Sequence, residues 1–152
     1  MDKWIWLDMD GTIADLYNVE NWLADLIAFD VRPYAIAKPI YNTLDILEVL
    51  SDLKSIGYKI GIISWGSKSN NAEYDIRVRK AKEKWLIENN FDIVLDKIIV
   101  TPYGICKADT CRQFGKGILV DDEEQNRKAW DLGETIDATK NIIKNLKKLL
   151  TY

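Results

Sequence analysis

The stretch Lys3-Trp4-Ile5-Trp6-Leu7-Asp8-Met9-Asp10-Gly11-Thr12 begins as an apolar run and ends in two carboxylates and a glycine. Its first half, Lys3–Leu7, has the pattern of a buried strand. A strand that ends this way points its acids out of the sheet, where a metal ion and a nucleophile are of use. Like charges so close together repel, and a chain that only had to fold gains nothing by placing them there. A divalent cation is the obvious partner. Asp-Gly pairs also mark ordinary solvated turns, so the motif acquires its weight from what the rest of the chain supplies.

Downstream, helical and extended patterns alternate. Asn18–Phe29 predicts an amphipathic helix with Val19, Trp22, Leu23, Leu26 and Ile27 on one face, broken by the segment Asp30–Pro39. Thr43 or Asp45 caps a helix that runs to about Ser55 and ends at Gly57, and Tyr58–Ile63 follows as a second, fully buried strand. Ala72–Asn89 is helical in pattern, with Arg77, Arg79, Lys80, Lys82 and Lys84 assigned to its wet face. Glu73, Asp75, Glu83 and Glu88 intersperse these cations, which favours a solvated surface over a nucleic-acid-binding one. Lys97–Thr101 and Gly117–Asp121 read as a third and a fourth strand. A short helix over Glu124–Asp131, a short strand over Glu134–Ile136 and a helix from Ala138 or Thr139 to Leu150 complete the chain. Strands alternating with helices imply an α/β fold, a doubly wound (Rossmann-like) parallel sheet with helices on both faces. Ligands of such sheets collect at the carboxyl ends of the strands.

A length of 152 residues suits one domain with a real core. The net charge of −3 argues against a protein that holds duplex nucleic acid by neutralising its phosphates. No apolar run approaches membrane-spanning length, and no basic segment followed by an apolar stretch opens the chain, so the expectation is a cytoplasmic protein without a membrane partner. Cys106 and Cys111 stand in a chain with no histidine; their spacing is poor for zinc, and they read as reduced structural thiols. The absence of histidine also excludes Ser-His-Asp and Cys-His catalysis, leaving acid–base work to carboxylates, lysine or tyrosine.

Placed on the strand scheme, the polar residues gather on one rim. Asp8 closes the first strand, Ser64 follows Gly61-Ile62-Ile63, Asp121 and Asp122 close Ile118-Leu119-Val120, and Lys107 lies in the segment before that last strand. Phosphoryl transfer needs a nucleophile in line with the leaving oxygen, neutralisation of the equatorial oxygens and a proton for the leaving group. Asp8 can attack. Mg²⁺ prefers a few hard oxygens, which Asp8, the backbone carbonyl of Asp10 and a carboxylate from the fourth strand would provide. Ser64 and Lys107 would hold the remaining phosphate oxygens.

Through four ordered motifs, Asp8-Met9-Asp10-Gly11-Thr12, Ile63-Ser64, Lys107 and Asp121-Asp122, the chain resembles the haloacid dehalogenase-like superfamily of phosphohydrolases. The resemblance implies that Asp8 is the nucleophile that becomes an aspartyl phosphate. It implies that Asp10 protonates the leaving group and then activates water, and that Ser64 and Lys107 bind the phosphate. Aligned with the superfamily, Asp122 is a metal ligand beside Asp8 and Asp10. Asp121 then stands where glycine is usual, as an outer or alternative ligand, and Asn126 stands where a second acid is usual. The Asp-Asp form resembles that of the deoxyribonucleotidases and polynucleotide 3′-phosphatases.

Superfamily members choose substrates with cap insertions, and here roughly residues 13–42 are available, a small lid at most. Tyr17, Tyr34 and Trp65 are candidates for stacking on a nucleobase, whereas Trp22 is assigned to the core. The expected activity is that of a magnesium-dependent phosphomonoesterase acting on a small phosphorylated substrate, a nucleotide first, with a polynucleotide 3′-phosphatase as the alternative. A receiver-like phosphoacceptor module is the alternative of another class; Asp8 and Asp10 share one strand end, which favours turnover over storage of the phosphoryl group. The oligomeric state is left open.

Overall fold

The structure, a computed structural model, describes residues 2–151. In β1 (Lys3–Leu7) every residue from Trp4 onward is buried, which requires cover on both faces of the sheet. The cover divides by the alternation of the strand. Ile5 and Leu7 pack into one cluster with Ile60, Ile62 and Val120, and Trp4 and Trp6 into another with Ile63 and Leu119. The indoles of Trp4 and Trp6 stack at 4.6 Å. Gly61, the register partner of Trp6, makes room for them, because a Cβ at that position would collide with the Trp6 ring.

β2 (Tyr58–Trp65), β3 (Lys97–Thr101), β4 (Gly117–Asp121) and β5 (Thr135–Asp137) complete a five-stranded sheet in the order β3-β2-β1-β4-β5. All neighbouring pairs are parallel. This is the predicted α/β, Rossmann-like architecture. The chain builds outward from β1 to β3, then returns to lay β4 on the other side of β1. Strand order therefore reverses between β1 and β4, and a crevice opens there at their carboxyl ends.

The helices are α1 (Trp22–Ile27), α2 (Arg32–Ile36), α3 (Thr43–Ser55), α4 (Ala72–Glu88), α5 (Lys107–Cys111), α6 (Glu124–Lys128) and α7 (Ile142–Lys147). Residues of α3 and α7 and the end of α4 cover the Ile5 face; Ala108 and Cys111 of α5 cover the Trp6 face. Both cysteines are free thiols, Cys111 buried in that second cluster. Among the described residues no helix is long and apolar enough to cross a membrane.

Boundaries shift where side chains satisfy helix ends. Asn42, not Thr43 or Asp45, caps α3, its Oδ1 accepting from the amides of Leu44 and Asp45, and Asn141 caps α7 in the same way. Two expectations for residues 13–42 are corrected. The helix predicted over Asn18–Phe29 is confined to Trp22–Ile27, because Asn21 and Phe29 adopt left-handed backbone at φ 61° and 59°. The segment Asp30–Pro39, read as a break, contains α2, with Pro33 in its first turn, where a missing N–H costs nothing.

Candidate active site

Asp8 follows β1 directly. Its amide donates to the carbonyl of Val120 at 2.9 Å, carrying the β1–β4 pairing one residue further and setting its side chain beside Asp121 and Asp122. The chain then turns sharply: the amides of Thr12, Ile13 and Ala14 all donate to the carbonyl of Met9. Gly11 lies at φ 81°, which disfavours an L side chain. A Cβ there would also run into the Asp122 carboxylate. Glycine at this position therefore serves both the turn and the close approach of Asp122.

Lys107, the first residue of α5, is buried, and its Nζ donates to Asp8 Oδ1 at 2.9 Å and to Asp121 Oδ2 at 2.7 Å. Burial disfavours the ammonium, but Asp8 and Asp121 more than offset it, and the Lys107 pKa lies above the usual lysine value. Asp121 is fully buried and also accepts from Asn126 Nδ2 at 3.2 Å and the amide of Glu123 at 2.9 Å. Asn126 is thus occupied in holding Asp121. Burial and the nearby Asp8 charge raise the Asp121 carboxyl, with Lys107 pulling the other way.

Asp122 is turned to the other side. With Asp8 and Asp10 it lines a cavity of about 630 Å³, whose wall also includes Ser64, Lys107 and Asn126. Burial, followed by the Asp8 charge, pushes the Asp122 carboxyl up to about 8. Thr12 Oγ1 lies 3.2 Å from Asp8 Oδ2 and 3.5 Å from Asp122 Oδ1. Its one hydrogen can serve one acceptor at a time, and Asp8 is the nearer.

Asp8, Asp121 and Asp122 each place a carboxylate oxygen within 4.8 Å of the others. Hard, anionic oxygens crowded this closely, one of them at a carboxyl raised by burial and then by its neighbour's charge, could hold a divalent cation. Asp121 already accepts from Lys107, Asn126 and a backbone amide. Asp8 and Asp122 face the cavity, so they are the carboxylates best placed for such an ion.

Across β1, Ser64 is buried on β2 and Asp10 stands 18% exposed above it. A residue assigned to solvent joins them. Lys82 of α4 is 1% exposed, and its Nζ lies 2.8 Å from Asp10 Oδ2, 2.8 Å from Ser64 Oγ and 2.7 Å from the carbonyl of Trp65. The wet-face assignment of Lys82 is corrected. A signal for it exists in the chain: the buried side of α4 is Tyr74, Val78, Lys82, Trp85 and Leu86, so Lys82 occupies an i+4 step of an apolar stripe.

The aromatic candidates also reach the cavity. Tyr17 packs edge-on against Trp22 at 5.0 Å, and Trp65 meets Tyr103 at 4.8 Å while its Nε1 donates to the carbonyl of Ile105. Tyr34 is buried beside Lys82, with Nζ 5.1 Å from its ring centre. Burial, then the Asp10 charge, raises the pKa of both Tyr17 and Tyr34, so both phenols are neutral. Trp22, assigned to the core, packs half-buried with Leu26 against the cluster of Leu16, Tyr34, Tyr74 and Val78 and also lines the cavity, while Leu23 and Ile27 on the same helix are 54% and 70% exposed. These two leucine and isoleucine side chains and Leu26 form an apolar wall to the cavity.

No family model and no curated protein sequence matches the chain. Among solved structures it is similar to a D,D-heptose 1,7-bisphosphate phosphatase from Burkholderia thailandensis, with a TM-score of 0.62 over 99% of this chain and 100% of that one. The two are 11% identical in sequence, and the likeness is one of fold.

Proposed function

We propose that this chain is a magnesium-dependent phosphomonoesterase of the haloacid dehalogenase-like type. One observation carries the reading: Asp8, Asp10, Ser64, Lys107 and Asp122, from separate parts of the sequence, line a single cavity at the point where strand order reverses. The likeness in fold to the D,D-heptose 1,7-bisphosphate phosphatase supports it.

In this reading the Asp8 carboxylate attacks phosphorus, the bond to the ester oxygen breaks, and Asp10 gives that oxygen its proton. Water then attacks the aspartyl phosphate, Asp10 takes the water's proton, and inorganic phosphate leaves with Asp8 restored. Lys107 fixes Asp8 through Oδ1 and, with the Ser64 hydroxyl, balances the charge of the phosphoryl oxygens. Asp8, Asp122 and the backbone carbonyl of Asp10 would hold the Mg²⁺, with Asp121 behind them. When bound, the ion supplies charge neutralisation at the phosphoryl group. Activity is expected to disappear on treatment with a chelator, return with Mg²⁺ and be inhibited by Ca²⁺, whose looser and larger shell misplaces Asp8. Phosphomonoester hydrolysis that resists chelation speaks against these roles.

For the substrate we propose a nucleotide, with residues 13–42 as a small lid over the base. Tyr17, Trp22, Tyr34, Trp65 and Tyr103 give the cavity flat walls beside the phosphate site, and its volume of about 630 Å³ suits a small-molecule ligand. A base stacked on an aromatic side chain contributes about 1–3 kcal/mol. Nucleoside monophosphates, deoxyribonucleotides first, are therefore expected to show higher kcat/KM than sugar phosphates of equal charge. Trp65→Ala should narrow that gap. Sugar phosphates cleaved better than nucleotides, or equal losses for both classes in Trp65→Ala, would leave the phosphatase reading without its nucleotide preference.

A further inference from the structure

Lys82 is a buried cation that none of the roles above uses. An ammonium has three N–H donors and no acceptor, and here all three are taken, by Asp10 Oδ2, Ser64 Oγ and the carbonyl of Trp65. The three partners lie on two different arms of the site, the turn after β1 and the end of β2. Lys82 itself comes from a third, the middle of α4, where Val78, Trp85 and Leu86 hold its stem within the apolar stripe. Among the described residues Asp10 is its only carboxylate partner within salt-bridge distance.

Two consequences follow from the direction of these bonds. Asp10 has one oxygen bound to Lys82, which orients the carboxyl plane and leaves the other oxygen for a ligand in the cavity. Ser64 accepts from Lys82, so its own hydrogen is free to donate, and among the described residues it has no acceptor within the protein. The hydroxyl is therefore set as a donor toward whatever anion enters.

We infer that Lys82 is a positioning residue, which fixes the acid–base carboxyl of Asp10 and sets Ser64 as a donor to the phosphoryl group. The inference rests on the phosphatase reading, and it assigns to α4 a part in the chemistry that neither the motifs nor the fold likeness supplies. An Asp10 held in place matters most when the leaving oxygen needs its proton. An alkyl phosphate releases a basic alkoxide and depends on that proton, whereas p-nitrophenyl phosphate releases a stable phenolate and depends on it little.

The test is the ratio of kcat for an alkyl phosphate to kcat for p-nitrophenyl phosphate, measured with Mg²⁺ in wild type and in Lys82→Met. Methionine keeps the stem in the stripe and removes the three donors. A folded variant, checked by circular dichroism and thermal melting, is expected to show this ratio reduced by about tenfold or more. In an Asp10→Asn background the same Lys82 substitution should change this ratio by less than about threefold, because residues that act as a unit are not additive and any loss through Ser64 falls on both esters alike. A ratio unchanged by Lys82→Met in the otherwise wild-type protein, or one that falls as far in the Asp10→Asn background, overturns the assignment. If Lys82→Met does not fold, Lys82→Gln, too short to reach Asp10, is judged by the same ratio. A wild-type protein that hydrolyses neither ester overturns the phosphatase reading and this one with it; hydrolysis of both with an unmoved ratio overturns the role of Lys82 alone.

Discussion

Asp8→Asn is expected to abolish turnover while leaving a folded protein. Asparagine is nearly isosteric with aspartate but is a poor nucleophile and a weak metal ligand, so the attacking group is removed without opening a cavity. The fold tolerates the change because Lys107 keeps Asp121 as its second carboxylate, 2.7 Å away. Asp122 also loses the neighbouring charge that, after burial, is the main reason its carboxyl is raised. The melting temperature should accordingly stay close to that of wild type, while steady-state hydrolysis falls to background in the presence of Mg²⁺. A purified variant that retains the wild-type rate removes Asp8 from the mechanism.

Asp10→Asn is expected to lower kcat by about two to four orders of magnitude, the usual loss for a removed general acid–base group. With no histidine in the chain, a replacement proton carrier is scarce. Burial lifts the Asp10 carboxyl above its ordinary value, with Lys82 opposing, a balance suited to a group that must both give and accept a proton. The loss should be largest for substrates with basic leaving groups. If hydrolysis of an alkyl phosphate survives nearly intact, the proton comes from elsewhere. Unlike Asp8→Asn, this variant strips Lys82 of its carboxylate partner, and a lower melting temperature should accompany the loss of rate.

The β1 stretch illustrates how far local information reaches. The burial of Trp4 to Leu7 follows from hydrophobic transfer, and the repulsion of the acids behind them calls for a cationic partner; both act over a few residues. The same holds for β3 and β4, whose bounds in the structure are those predicted. The helix predicted over residues 18–29 is cut to Trp22–Ile27 by left-handed backbone at Asn21 and Phe29. Its apolar stripe divides: Trp22 and Leu26 pack against the core, while Leu23 and Ile27 border an open cavity. Periodicity reports which side chains share a face, not what that face meets.

By itself, then, the sequence determined the alternation of strands and helices, the parallel sheet, and the rim on which Asp8, Ser64, Lys107, Asp121 and Asp122 stand. Each of these depends on period, on residue type and on the rule that parallel strands present their carboxyl ends together. Only the tertiary structure shows how the two adjacent acids at the end of β4 part, Asp121 inward to Lys107 and Asp122 outward to the cavity. Only it brought Lys82 to Asp10 across 72 positions of chain. The physical reason is that a charge is buried only where partners from distant elements converge on it; the apolar stripe of α4 carries the burial of Lys82, but which groups meet it is a property of packing.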